Sequence, residues 1–305
     1  MAHEVSVVVK ERRVRLIDSR RLFVIVNCAF LGALAVICLL PLVHTLSLSL
    51  SSDSAADTGR VTLWPVDFTT AAYEYALSNP RFLRSLAVSL ERVALGVTVN
   101  MILIVLVAYP LSKSSEVLRG RTVYVWFFVI TMLFGGGLIP TYMVVQATGL
   151  LDSVWALILP KAVPVFSIIL LLNFFRGVPK ELEEAAFVDG ASHWTVLWRI
   201  YLPLSKPALA TIALFTIVTH WNSWFDGLIY MNSPDNYPLQ SYLQTLVVQD
   251  PLTVQDLGER EALQDVSNRT YKAAQIFLAA LPVLAVYPFL QRFFVKGIVL
   301  GSVKG

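Results

Sequence analysis

Six apolar runs, each long enough to cross a bilayer, leave this chain few ways to fold. A helix needs roughly 20 mainly apolar residues to span the hydrocarbon core, where every backbone polar group must be satisfied within the protein. The runs extend over about Leu22–Leu48, Leu83–Leu111, Val123–Val145, Val154–Phe175, Ala208–Phe225 and Ala273–Phe294. They predict an all-α polytopic membrane protein with six transmembrane helices. Charge content agrees. Only 15% of the 305 residues are charged and 56% are hydrophobic, whereas a soluble protein carries about a quarter of its residues as charges. One anchor on a soluble domain would leave most of the sequence ordinary. Cys28 and Cys38 both fall in the first run and read as small apolar membrane residues, with no disulfide framework or metal site.

The first run follows Arg12, Arg13, Arg15, Arg20 and Arg21, as a signal peptide would. It is too long for one and lacks an obvious small-residue cleavage site, so a retained span is expected. Basic loops orient the set. The N-terminus, the Lys113/Arg119/Arg121 loop, the Arg176/Lys180/Arg199/Lys206 loop and the Arg292/Lys296/Lys304 tail share one face. Asp53, Asp57, Asp67 and Glu74, then Asp235, Asp250, Asp256, Glu259, Glu261 and Asp265, occupy the other. Both termini are therefore expected in the cytoplasm, with residues 1–21 and 295–305 as cytoplasmic segments around a membrane domain at 22–294.

Some spans are not plain apolar helices. Arg84, Glu91 and Arg92 make the second one begin amphipathically, so its apolar body starts near Val93. Gly135, Gly136, Gly137 and Pro140 interrupt the third, and Pro282 and Pro288 the last. Irregular backbone at membrane depth survives only where protein or a water-filled cavity covers it. A bend beside a pathway and close packing through small residues both fit.

The segment from Pro179 to Pro203, PKELEEAAFVDGASHWTVLWRIYLP, carries the most information. Pro179 suits a helix start, where Glu181, Glu183 and Glu184 favour the helix dipole. Gly190 fits the left-handed position that ends a helix. Ser192 can cap a second short helix whose Trp194, Leu197, Trp198 and Tyr201 fall at helical spacing, until Pro203 ends it. A helix–Gly–helix elbow between two spans results. It could rest on the membrane as an amphipathic linker, but acid and small alanines suit a protein socket better.

Glu184-Ala185-Ala186, Asp189-Gly190-Ala191, and Ile200, Leu202 and Pro203 stand at the spacing of the EAA loop. The chain thus resembles the permease subunits of binding-protein-dependent ABC importers. The resemblance implies a type I importer permease fold with 179–203 as the coupling loop. Glu184 would contact the ATPase, Ala185 and Ala186 would allow close approach, and Gly190 would set the elbow. Asp189, Ala191, Trp194, Leu202 and Pro203 would complete the docking surface. Phe134 through Tyr142 (FGGGLIPTY), Tyr237-Pro238-Leu239-Gln240 and Tyr287 through Gln291 are similar to carbohydrate permeases of the maltose-importer type. Within these they match the subgroup for aldouronate and other polyuronate oligosaccharides, which makes alginate one candidate cargo. The tail resembles theirs too, implying that Ser302, Val303, Lys304 and Gly305 reach the ATPase dimer.

Polar groups inside spans are functional candidates by default. His220, Trp221, Asn222, Ser223, Trp224 and Asp226 cluster at the end of the fifth span. Aromatic faces beside amide and imidazole groups suit a sugar, although tryptophans near a membrane boundary also serve as anchors. His220, Trp221, Asn222 and Asn173 are the candidate substrate path; Asn173 equally suits a bond across a helix interface. Lys161 could assist an anionic sugar or snorkel to the surface. The segment from Asp226 to Lys272 is long for a plain connection and would form part of the socket for a solute-binding protein.

There is no GxxxxGK[ST] loop, nucleophile elbow or HExxH motif. The chain is expected to be no enzyme and to bind no cofactor of its own, ATP and magnesium belonging to a partner ATPase. An ion-coupled secondary transporter is the alternative. It would usually show paired repeats and buried ionisable residues. Neither is read in the sequence, and the elbow has no evident role in such a protein. The expected partners are a second permease chain forming a heterodimer, an ATPase dimer, an extracytoplasmic binding protein, an oligosaccharide and membrane lipid. The expected site of action is the bacterial inner membrane, with transport by alternating access.

Overall fold

In the computed structural model, residues 12–248 and 268–302 are described, and among them all regular structure is helical. The chain divides into two compact units, one from Met1–Glu74 with Glu261–Phe277, the other from Tyr75–Arg260 with Leu278–Gly305.

In the first unit, α1 (Arg12–Ser49) is a long apolar helix. Its stretch Arg20–Ser49 is apolar enough to cross a membrane and buries nothing against the rest of the chain over its most apolar window. Serines fasten its C-terminal end. Ser47 donates to the Leu63 carbonyl at 2.6 Å, and Ser51 accepts from the Val66 N–H at 3.0 Å. The Ser49 hydroxyl pairs with that of Tyr73 at 2.7 Å. Short hydroxyl side chains suit this work, because they satisfy backbone groups that a turning chain leaves unpaired. α2 (Asp53–Asp57) follows, capped by Ser52, and Thr270 donates to the Asp53 carboxylate.

The second unit is organised around α4 (Pro80–Ser112), which follows the short α3 (Ala71–Ser78). Asn79 caps α4, its Oδ1 accepting from the Arg81 and Phe82 N–H groups at 2.9 and 3.3 Å. Phe82, Ser85, Ser89, Arg92, Gly96, Asn100, Ile104, Ala108 and Leu111 form its buried face at steps of three and four residues. That face is polar in its first half and apolar in its second. Leu83, Leu90, Ile102 and Leu106 lie exposed on α4, as expected where lipid is the solvent. Arg92 departs from the amphipathic start read in the sequence: it is 1% exposed, among the most buried large side chains.

Three pairs of helices are together long and apolar enough to span, and each is bent by more than 40° at a short break, as in a broken span or a re-entrant loop. α5 (Arg121–Leu133) and α6 (Leu138–Ala147) meet at 112° across the triple glycine. α7 (Val154–Ile158), extended by a 3₁₀ turn to Lys161, meets α8 (Val165–Arg176) at 52°. α9 (Lys180–Val188) precedes α10 (His193–Val196), a π turn over Leu197–Tyr201, and α11 (Leu202–Leu204). The segment His193–Leu204 then turns by 80° at Ser205 into α12 (Lys206–Asn222). With Arg20–Ser49, Pro80–Ser112 and Arg269–Pro288, these pairs give up to six candidate spans. α13 (Phe225–Tyr230), α14 (Leu239–Val248) and α15 (Asn268–Ser302) complete the order.

α4 packs against α8 and α12. Ile104, Ala108, Ile168, Leu171, Phe175, Val196, Leu197 and Ile212 form their shared apolar core. A glycine permits α12 to approach α4 closely: a Cβ on Gly96 would stand 2.6 Å from His220 Nε2.

Candidate functional site

The elbow forms where its residue types require. Asp189, Gly190 and Ala191 donate their N–H groups to the Ala185, Phe187 and Ala186 carbonyls at 3.1, 3.0 and 2.9 Å, closing the C-terminus of α9. Gly190 supplies the left-handed turn with φ +78°. The Ser192 hydroxyl then accepts from the Thr195 N–H at 3.3 Å and starts α10. Glu184, Ala185, Asp189 and Gly190 are exposed, Ala186 and Ala191 partly so. Val188, at 89% exposure, protrudes furthest among the large apolar side chains.

The aromatic stripe splits. Leu197 and Tyr201 are buried in the α4–α8–α12 core, while Trp194 and Trp198 face outward at 60% and 64% exposure. The cause is the π turn from Leu197 to Tyr201, which rotates the residues after Val196 out of plain α-helical register. Leu202 is half-buried and Pro203 exposed on the short α11.

A brace missed in the sequence holds α9. Lys113, just past the end of α4, donates to both oxygens of Glu183 at 2.8 Å. Its ammonium also lies 4.2 Å from the centre of the Tyr109 ring and 4.0 Å from that of Tyr201. The Tyr201 hydroxyl donates to the same carboxylate, and His193 Nδ1 lies 3.5 Å from the Tyr109 hydroxyl. Burial works to raise the Glu183 pKa. Hydrogen bonds from Lys113 and Tyr201, with the charges of Lys113 and His193, outweigh it and hold the carboxyl below its ordinary value. Burial lowers the Lys113 pKa against the opposing pull of Glu183. Of three neighbouring glutamates the middle one therefore ties the elbow to α4, and Glu184 is left facing outward.

A second constellation lies on the polar half of α4. Arg92 donates to Asp226 Oδ1 at 3.1 Å and Oδ2 at 2.5 Å, and to the Ser223 carbonyl at 3.1 Å. Asp226 also accepts from the Ser223 hydroxyl at 2.9 Å and the Gly227 N–H at 3.0 Å. A buried charge must be paired and hydrogen-bonded in this way. Lys161 Nζ stands 3.8 Å from Asp226 Oδ2.

The candidate path residues separate. His220 is buried against Gly96 with neither ring nitrogen hydrogen-bonded. Trp221 is buried in a cluster with Phe82, Leu239 and Tyr242, its indole N–H donating to the Ala279 carbonyl at 3.1 Å. Asn222 and Asn173 are exposed, on α12 and α8 respectively. Ser302 ends α15, and Val303, Lys304 and Gly305 lie outside the described residues, as do residues 249–267 of the segment before Lys272.

Residues 93–300 match the model of the family described as "Binding-protein-dependent transport system inner membrane component". The chain belongs to that family. It is a permease subunit of an ABC importer in the bacterial inner membrane, a transport component without enzymatic activity, which acts with a solute-binding protein. The permease is 42% identical to Protein LplC of Bacillus subtilis over 285 residues, covering 93% of this chain and 96% of that one. It is 41% identical to the polygalacturonan/rhamnogalacturonan transport system permease protein YtcP of the same organism, covering 94% and 100%. Among solved structures it resembles a chain of a bacterial ABC transporter involved in the import of the acidic polysaccharide alginate. That likeness has a TM-score of 0.84 and 37% identity, and covers 90% of this chain and 98% of the other.

Proposed function

We propose that this permease imports uronate-containing oligosaccharides, and that the α9–α10 elbow is its coupling element to a separate ATPase. Relatives similar over nearly the full chain are named for polygalacturonan and for the acidic polysaccharide alginate, which supports an acidic cargo of the aldouronate, galacturonate or alginate kind. The observation that carries the coupling role is the braced elbow. Its exposed Glu184, Ala185, Asp189 and Gly190 stand on a helix fixed to the end of α4 by Glu183 and Lys113. A socket that grips that surface, with Ala186, Ala191, Trp194, Leu202 and Pro203 around it, moves the bundle rather than a loose loop.

In this reading the permease crosses the membrane six times with both termini in the cytoplasm. It pairs with a second, unequal permease chain, and both rest on an ATPase dimer that holds ATP and magnesium. Closure of that dimer pulls the elbow, rotates the spans and opens the path outward to a loaded binding protein. Ser302 to Gly305 extend the contact to the ATPase. His220, Trp221, Asn222 and Asn173 belong to the sugar path.

The test is to purify the chain from detergent-solubilised membranes with whatever binds it, and to assay ATP hydrolysis with uronate and neutral oligosaccharides. Co-purification of an ATPase and a second permease, with hydrolysis raised by a uronate-loaded binding protein, is the expected result. Glu184→Lys and Gly190→Asp should then uncouple hydrolysis from uptake while the chain stays in the membrane. Full uptake in both variants overturns the docking role.

A further inference from the structure

Among the described residues, two cations beside the polar half of α4 share a single carboxylate. Arg92 and Asp226 satisfy each other: the guanidinium grips both carboxylate oxygens and the Ser223 carbonyl. Lys161 is a second cation on that same carboxylate, 3.8 Å from an oxygen that already accepts from Arg92 and from the Ser223 hydroxyl. Two cations thus share one anion. The two are placed differently. The Arg92 and Asp226 side chains are 1% and 8% exposed, whereas that of Lys161 is 59% exposed.

The backbone around Lys161 is irregular, which argues against a lipid face. Lys161 closes the 3₁₀ turn at the 52° break between α7 and α8. Irregular backbone in a span persists only beside protein or a water-filled cavity, and charged side chains there face the bundle interior or such a cavity. Nearby polar groups are also left open: Asn100, which donates to the Lys161 carbonyl at 3.4 Å, has its buried Oδ1 unpartnered, as are both ring nitrogens of buried His220.

We propose that the Lys161 ammonium is the site at which a uronate carboxylate is held as the oligosaccharide enters the path. The inference rests on the acidic-cargo reading above and adds to it the residue that recognises the acid. A lysine suits transit better than an arginine would. Its ammonium is a compact charge with three rotatable donors rather than a fork that grips a carboxylate bidentately. Asp226 beside it weakens the hold further by repelling a second anion, so the sugar can leave as well as enter. A neutral hexose gains nothing at this position.

The test uses the complete importer in proteoliposomes, with a uronate oligosaccharide and the same oligosaccharide after reduction of its carboxyl groups to alcohols. Lys161→Gln should lower uptake of the acid at least tenfold and leave the reduced sugar within about twofold, while Lys161→Arg keeps most of the acid uptake. A charge-specific rescue makes the result independent of any packing effect. Lys161→Cys in a Cys28→Ser, Cys38→Ser background should recover acid uptake after 2-aminoethyl methanethiosulfonate, which restores a cation, and not after methyl methanethiosulfonate. Equal loss for both sugars, no loss for either, or rescue by both reagents overturns the site. If the wild-type importer carries the reduced sugar and rejects the acid, the acidic-cargo reading falls and the site with it. If wild type and Lys161→Gln carry the acid equally, the site alone falls.

Discussion

Glu183 and Glu184 are neighbours with opposite surroundings, and substituting each in turn separates the brace from the proposed docking surface. Glu183→Gln replaces a carboxylate that accepts both bonds of Lys113 at 2.8 Å, with the two side chains 7% and 16% exposed. Removing one partner of a fully buried pair costs about 3–5 kcal/mol, and a hydrogen bond to a charged group contributes roughly 1.5–3 kcal/mol. The residual exposure of Glu183 and the two tyrosine rings that still face the ammonium place the cost at about 2–3 kcal/mol. At about 1.4 kcal/mol per tenfold change, local opening of the elbow should increase roughly 30- to 140-fold. Amide hydrogen exchange of Leu182 through Ala191 in the purified complex reads that opening directly. Exchange in the first half of α4 is the internal reference and should not change. Glu184 is exposed, so Glu184→Lys should leave exchange in the elbow within about twofold, as surface substitutions usually do, while uptake falls. Unchanged protection in Glu183→Gln would refute the brace. Equal loss of protection in both variants would show that the two glutamates are not divided between fixing and docking.

Further outcomes follow from the same geometry. The Glu183 carboxyl lies below its ordinary value, so its contribution is fully present above the pKa of the unfolded chain, about 4.3, and is lost as pH falls through the lower folded value. Elbow protection should therefore be flat from neutral pH to about 5 after correction for intrinsic exchange, then decline, and Glu183→Gln should abolish that decline. Gly190→Ala meets no atom within 4 Å but must hold φ +78°, which costs about 1–2 kcal/mol; Gly190→Asn should cost less, by the same exchange measurement. Gly96→Ala drives a Cβ to 2.6 Å from His220 Nε2. It should cost about 1–3 kcal/mol and lower the thermal midpoint in detergent, with His220→Ala restoring part of the loss. Asp226→Asn leaves Arg92 buried without its counter-ion, at about 3–5 kcal/mol. Fluorescence-detected gel filtration should show loss of folded chain, largely recovered when Arg92→Met is added.

What could be seen in the sequence and what could not divide by distance along the chain. Apolar runs, the Ser192 cap and the Gly190 turn are local, each set by residues within a few positions, and all stand in the elbow or the spans as the residue types imply. The 112° break at Gly135–Gly137 was likewise visible as three consecutive glycines ahead of Pro140. The π turn was not, because no residue type marks it; reading Trp194, Leu197, Trp198 and Tyr201 as one stripe assumed an uninterrupted α-helical period. The two charge constellations were hidden for a different reason. Lys113 and Glu183 are 70 positions apart, Arg92 and Asp226 134, and charge alone does not say which cation meets which carboxylate. One signal was nevertheless present. Arg92, Gly96 and Asn100 recur every four residues on α4, so an arginine read as an interruption of the apolar pattern stood on the same face as a glycine and an amide. In a lipid-solvated helix such a face must turn toward protein or water. Two cations thus stand differently on one carboxylate: the buried Arg92 fixes α4 to α13, and Lys161 faces outward, which is the placement the proposed uronate site requires.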